Sequence, residues 1–277
     1  MSSVPPKPST DHNFSQPNLS ILAGVECMQW LATSERPIGS LEMARLMNVD
    51  RNRANRILKS LVIAGMAEQT TGRKFIVGRG FHVLAAQSMR ASGILWAAAP
   101  VLESLHKLDC IVALGVLWKR SVAYLYYHHR GQSAARAIGT MFSFPALWSS
   151  IGRVLLAELE DEEIDRLYTG HKLEPFTDLR ALKTELAKVR EQGYSSLQHD
   201  DLKLQFTMAY PVVQDNRVIA GVAMADLPRR AKPSEYLGEL KHAAEKIGLT
   251  METLHHPGNQ PQADPKSNTI SAWPGLA

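Results

Sequence analysis

The segment from Arg51 to Ala64 constrains the fold more than any other part of the chain. At 100° per residue its apolar side chains form one stripe, made of Ala54, Ile57, Leu58, Leu61 and Val62. Its other face carries arginine, asparagine and lysine, and no acidic residue occurs between Arg51 and Ala67. The pattern therefore predicts a helix that packs one side against a domain and presents a cationic, hydrogen-bonding side outward.

Two helical patterns precede that helix, and a hairpin pattern follows it. The first covers residues 19–33, and Ser40 can cap a second, shorter helix over residues 41–47. Residues 66–77 have strand character on both sides of a turn at residues 70–73. Three helices followed by a hairpin are typical of a winged helix-turn-helix, a DNA-binding module.

The polar face of the third helix matches the chemistry of a DNA major groove. Arginine binds guanine O6 and N7, and asparagine binds adenine N6 and N7. We expect Asn52 and Arg56 to reach base edges and Lys59 to contact phosphate. The predicted contacts to double-stranded DNA, including the hairpin tip, are Arg51, Asn52, Arg53, Asn55, Arg56, Lys59, Arg73 and Lys74. The alternative is a solvated basic face, which the flanking short helix, tight turn and hairpin disfavour.

The net charge of +4 is concentrated in the same region. Residues 18–79 hold nine Lys or Arg against five Asp or Glu, whereas residues 96–254 hold 19 against 20. A basic module joined to a near-neutral body indicates that the module meets a polyanion.

The rest of the chain predicts a second, α+β domain with an antiparallel sheet. Strand patterns at residues 110–118, 121–128, 205–213 and 217–227 form two hairpins, and helical patterns cover residues 100–108, 148–159, 162–169, 179–193 and 234–254. The predicted organisation is a disordered tail 1–17, a winged helix-turn-helix 18–79, a linker helix 80–95, a ligand-sensing domain 96–254 and a disordered tail 255–277.

Several classes of protein are disfavoured. The sequence has no apolar run long enough to span a bilayer and no signal-like N-terminus, and its two cysteines suit a reducing compartment, so we expect a cytoplasmic protein without a membrane partner. The sequence has no nucleophile-elbow motif, phosphate-binding loop, dinucleotide-binding motif or zinc-hydrolase motif. We therefore expect that the protein is not an enzyme and binds no metal ion or cofactor. A small-molecule-processing enzyme, or an adaptor that uses the winged helix only for dimerisation, remains the alternative.

Several segments resemble the IclR family of bacterial transcriptional regulators. The matching residues in the first domain are Arg36-Pro37, Ser40-Leu41-Glu42-Met43-Ala44, Ala54-Asn55-Arg56-Ile57-Leu58, Gly65 and residues 75–78. In the second domain they are residues 99–105, residues 147–157 with Gly152-Arg153, Gln192-Gly193-Tyr194, residues 209–213 and Ala220-Gly221-Val222. The resemblance implies a regulator that binds an operator and senses a small-molecule effector in its second domain.

The resemblance also implies a set of effector-binding residues: Met141, Trp148, Ser149, Ser150, Ile151, Leu197, Thr207, Met224 and Asp226. The sequence departs from the family pattern here, since Leu147 stands where histidine is usual. Serines at a helix start favour an anion such as an organic acid, whereas Asp226 favours a hydroxyl-rich or cationic ligand. We expect a sugar-derived effector or an organic acid.

The apolar residues of segments 19–33 and 81–92 exceed what one small domain can bury. Symmetric operators are read by two copies of a DNA-binding module. We therefore expect a homodimer or a dimer of dimers, and the resemblance implies the same.

Overall fold

The computed structural model describes residues 16–132, 136–138, 143–198, 206–227 and 233–255. Its internal contacts divide the chain into two compact units, here called the N-terminal unit (Met1–Arg90) and the C-terminal unit (Ala91–Ala277). Among the helices of the described part, none is long and apolar enough to cross a membrane.

The N-terminal unit has the helix and strand order that the sequence predicts. Its elements are α1 (Leu19–Thr33), α2 (Ser40–Leu46), α3 (Arg51–Ile63), β1 (Ala67–Gln69), β2 (Phe75–Val77) and α4 (Gly80–Ser92). Strands β1 and β2 pair antiparallel. Cys27, Met43, Leu58 and Phe75 are almost completely buried and join the three helices to the hairpin in one core. The predicted winged helix-turn-helix is confirmed.

Side-chain caps fix where two of these helices begin. The Oδ1 atom of Asn18 accepts hydrogen bonds from the backbone N–H groups of Ser20 and Ile21 at the start of α1. Asp50 Oδ1 accepts from the Arg53 N–H at 2.8 Å at the start of α3. The predicted Ser40 cap is wrong: Gly39 is extended and is the N-cap, so α2 begins one residue earlier, at Ser40 itself.

The C-terminal unit is built around one antiparallel sheet. Its helices are α5 (Ile94–Ser104), α6 (Ser150–Leu156), α7 (Asp161–Tyr168), α8 (Leu179–Gln192) and α9 (Pro233–His255), with short 3-10 turns at Leu105–Leu108 and Ala146–Trp148. Its strands are β3 (Ile111–Trp118), β4 (Ser121–His128), β5 (Phe144–Pro145), β6 (Ser195–Leu197), β7 (Thr207–Gln214) and β8 (Arg217–Ala225). The strand order is β5-β4-β3-β8-β7-β6. The predicted α+β class is confirmed.

The sheet separates two hydrophobic cores. On one face, Val112, Leu114, Met208 and Met224 pack with residues of α5 and α9. On the other face, an adjacent residue of each of these strands packs with α6, α7 and α8. These residues are Ala113, Ala209 and Ala223. Successive side chains of a strand point to opposite faces. We call the second face the α6 face.

Two helices meet where the two units are joined. Helix α4 ends at Ser92, Gly93 adopts a left-handed conformation with φ of 66°, and α5 begins at Ile94. The sequence analysis predicts that this helix starts at about Pro100. Pro100 instead lies inside α5, since the apolar residues before it are buried in the core and their burial outweighs its local cost.

Candidate functional site

Helix α3 presents the polar face that the sequence predicts. Ala54 and Leu58 are fully buried under α1 and α2, and the opposite side of the helix is open to solvent. Four of the six predicted contacts on this helix are exposed, and Arg53 and Asn55 are half-buried. The exposed set is Arg51, Asn52, Arg56 and Lys59.

The hairpin tip exposes the two remaining predicted DNA contacts, Arg73 and Lys74. The Thr70 N–H donates to the Lys74 carbonyl at 2.8 Å, and Arg73 has a positive φ of 56°, so a tight turn carries both cations outward. Salt bridges within the described residues, such as Arg79–Glu68, involve none of the six basic residues of α3 and the hairpin tip. These cations therefore form no salt bridge in that part of the chain, and Lys74 has only a longer-range electrostatic interaction with Glu42.

A second candidate site lies at the start of α6. The Ser149 side chain caps the helix, since its Oγ accepts from the Gly152 N–H at 3.2 Å and lies 3.3 Å from the Tyr124 hydroxyl. Gly152 must be glycine, because a Cβ would lie 2.1 Å from the Ala146 carbonyl oxygen. Ser149, Ser150 and Ile151 are all buried. Three predicted effector-binding residues therefore lie at the start of α6, next to the α6 face of the sheet.

Arg153 fixes the turn that leads into this helix. Its Nε donates to the Leu147 carbonyl at 3.1 Å, and Nη1 donates to Glu185 Oε1 at 2.9 Å. The guanidinium also lies 4.9 Å from the centre of the Phe176 ring. Burial lowers the pKa of Arg153, and the charge and hydrogen bond of Glu185 oppose that effect. Arg153 therefore ties α8 to the backbone just before Ser149.

Small residues and side-chain hydroxyl groups also lie on the α6 face, at the end of the sheet. Leu197, Thr207 and Ala225 lie opposite one another on β6, β7 and β8. The buried Thr207 hydroxyl has no hydrogen-bond partner among the residues that the structure describes. Burial, followed by the nearby Tyr124 and Asp226, raises the pKa of Tyr127 to about 12, so this phenol is neutral. The face offers neutral hydrogen-bonding groups beside alanine side chains.

Tyr124 and Tyr127 belong to this face, and sequence reasoning missed both. Strict alternation on β4 would put residues three apart on opposite faces. A bulge between the Leu114–Tyr126 and Gly115–Tyr124 pairs inserts one extra residue, so the two tyrosines share a face, with ring centres 5.3 Å apart. The density of tyrosines between residues 124 and 127 was the available signal.

The structure separates some of the predicted effector-binding residues. Met224 is fully buried with Met208 in the core on the opposite face of the sheet, so it cannot line the same pocket as Ser149 and Thr207. Trp148 lies half-buried in the turn before α6, and Asp226 follows β8 with a positive φ of 56°. Met141 lies outside the described residues.

Comparison with known proteins identifies the family. The model of the bacterial transcriptional regulator IclR C-terminal domain matches residues 86–249. The chain belongs to the IclR family. Two similar relatives are regulators of Escherichia coli K12: XynR, 26% identical over 76% of this chain and 86% of XynR, and KdgR, 25% identical over 80% of this chain and 89% of KdgR.

Solved structures of IclR regulators share the fold of this family member. An IclR homologue from Microbacterium hydrocarbonoxydans, crystallised with 4-hydroxybenzoate, has a TM-score of 0.64 at 19% identity and covers 84% of this chain and 99% of its own. An IclR family regulator from Brucella abortus has a TM-score of 0.69 at 19% identity, with coverage of 87% and 95%.

This IclR family protein is therefore a ligand-responsive, DNA-binding transcriptional regulator, as the sequence predicts. The curated relatives are all named as regulators, which disfavours the enzyme alternative. Within the described residues, no cluster of three or more His, Cys, Asp or Glu could hold a metal ion.

Proposed function

We propose that this regulator reads its operator with α3 and the hairpin tip of the N-terminal unit. The observation that carries the proposal is the outward face of α3, where two arginines, a lysine and an asparagine are exposed without an acidic neighbour on the helix. Asn52 lies near the N-terminus of α3, the end that enters the major groove in helix-turn-helix proteins. Arg73 and Lys74 add a second contact at the hairpin tip.

Replacing Asn52 with alanine is expected to weaken binding to the operator by about 1–3 kcal/mol and to leave binding to random DNA unchanged. The reason is that an asparagine–adenine contact exists in the specific complex alone. The operator is first selected from a random duplex library, and affinities are then measured on both duplexes. Lys59→Ala is the control and should weaken both complexes alike. Equal losses on both duplexes for Asn52→Ala would refute its role in base reading.

For the C-terminal unit we propose an effector site on the α6 face, between α6 and the start of β7. Buried hydroxyls of Ser149, Ser150 and Thr207, together with Tyr124, support a ligand that carries several hydrogen-bonding groups. A sugar-derived effector or a hydroxylated organic acid fits these groups. The 4-hydroxybenzoate bound by the homologue from M. hydrocarbonoxydans is one hydroxylated organic acid.

Replacing Thr207 with valine is expected to abolish or strongly weaken the effector response. The swap removes one hydroxyl and keeps the shape, and the hydroxyl has no hydrogen bond to lose within the described part of the chain. Operator affinity without effector should stay within about 0.5 kcal/mol of wild type. The measurement is operator binding titrated with the effector found by screening sugars and organic acids.

Met224→Leu is the matched control for Thr207→Val, because Met224 lies on the opposite face of the sheet. Its effector response should remain that of the wild type. A Thr207→Val protein with an unchanged effector titration would show that the effector binds elsewhere.

We also propose that the regulator is a homodimer or a dimer of dimers joined through α1 and α4. Helix α1 exposes Leu19, Leu22 and Trp30, and α4 has no buried residue, with Val83 and Leu84 about half exposed. Apolar side chains clustered on two helices indicate an interface with another copy.

A further inference from the structure

A groove between α1 and α3 has a composition that base reading does not explain. It encloses about 430 Å³ and is lined by Ser20, Ile21, Gly24, Arg53, Arg56, Ile57, Ser60 and Leu61. Its apolar part comes from isoleucine and leucine side chains, and two guanidinium groups and two hydroxyls surround that part. This combination suits a ligand that is anionic on one side and apolar on the other.

The two guanidinium groups of the groove lack counter-charges. Arg53 and Arg56 are one helical turn apart, so their charges repel each other. Salt bridges of the described residues include neither of them. The neighbouring acid, Asp50, uses its carboxylate to cap α3 through the Arg53 backbone N–H. An anion placed between the two arginines would relieve this repulsion.

The groove is separate from the apolar surface that we assign to dimerisation. Ser20 and Gly24 lie one turn apart on the flank of α1 that faces α3. Leu22 lies two residues from each, about 200° around the helix. A partner copy bound against Leu22 would therefore leave the groove open.

We propose that this groove seats the sugar–phosphate backbone of the operator, next to the stretch of major groove that α3 enters. Arg53 and Arg56 bind phosphate oxygens, and the hydroxyls of Ser20 and Ser60 donate further hydrogen bonds to them. Ile21 contacts the apolar part of a deoxyribose. The proposal rests on the proposed operator binding, and it moves Arg56 from the base-reading role that the sequence suggested to a backbone role.

The first test compares Arg53→Gln and Arg56→Gln with Asn52→Ala in a salt titration on the operator and on a random duplex. Each arginine variant should weaken both complexes by the same factor and reduce the salt slope by about one. Arg56→Gln that weakens the operator complex alone would overturn the proposal. If the wild-type protein binds no duplex in a salt-dependent way, the proposed operator binding itself fails, which is a different result.

The second test fills the groove. A Cβ added at Gly24 meets no atom within 4 Å, and the same holds for Gly238 on α9. Gly24→Glu places a carboxylate in the groove and should lower the affinity for both duplexes at least tenfold, whereas Gly238→Glu, the matched control, should not. Unchanged affinity of a Gly24→Glu protein that keeps its wild-type circular dichroism would overturn the proposal.

The third test replaces single phosphates of the selected operator with uncharged methylphosphonates. Wild-type affinity should fall at one or two positions that flank the bases read by α3. The Arg53→Gln/Arg56→Gln double variant should be insensitive at those positions, because the cations that contact them are gone. Equal sensitivity of both proteins at every position would contradict the groove as the binding site for these phosphates.

Discussion

Leu22→Glu is expected to convert the regulator to a monomer and to lower operator affinity at least about 100-fold. The leucine is 53% exposed on α1, so a glutamate there leaves the helix intact but puts a charge into the proposed interface. Two linked DNA-binding modules gain about 10² to 10⁴ in affinity over one. Light scattering gives the oligomeric state, and a titration of the operator duplex gives the affinity.

Leu249→Glu is the control for this variant. Leu249 is 63% exposed on α9, far along the chain from α1, and the same substitution there should leave both the dimer and operator binding unchanged. A Leu22→Glu protein that stays dimeric would place the interface elsewhere. A monomer that binds the operator with wild-type affinity would show that one module is enough.

Glu185→Ala is expected to destabilise the C-terminal unit by about 3 kcal/mol. The change leaves the guanidinium of Arg153, whose side chain is 11% exposed, buried without its counter-charge. Removing one partner of a buried ion pair costs about 3–5 kcal/mol, and the partial exposure of Glu185 puts this pair at the lower end. Urea denaturation followed by tryptophan fluorescence measures the loss.

Two further variants separate the charge effect from other causes. Asp165→Ala breaks the more exposed pair with Lys183 and should cost clearly less. The double variant Arg153→Met/Glu185→Leu removes both charges and should recover most of the stability, because a buried ion pair can be replaced by apolar side chains. A double variant as unstable as Glu185→Ala would mean that packing, and not the unpaired charge, causes the loss.

The N-terminal unit was predictable because its signals are local. The apolar stripe of α3, the Asp50 cap and Gly65 after the helix each act within one or two turns of chain, so their consequences can be worked out residue by residue. The one error in this unit, the cap of α2, is a shift by a single position. Helix ends tolerate such shifts because neighbouring residues can serve as the cap.

The proposed effector site was less predictable because it depends on long-range pairing. Met224 was assigned from the resemblance to the family pattern, but which face it occupies follows from its register with Met208 on β7. The bulge in β4 that brings Tyr124 and Tyr127 together has no sequence signature of its own. Strands β5 and β6 have two and three residues, too few for a periodic pattern.

The packing of Ile151 on the sheet limits how this regulator could be redesigned as a biosensor. A Cβ on Gly221 would lie 2.8 Å from the Ile151 Cγ2 atom, so these two positions can change only together, whereas a Cβ on Gly115 would clash with the Val122 Cγ1 atom at 2.5 Å. Ala223 and Ala225 lie on the same face of β8, and Ala225 is opposite Thr207. A library that diversifies the two alanines while holding the glycine–isoleucine contact fixed would explore new effectors with the smallest loss of folded variants.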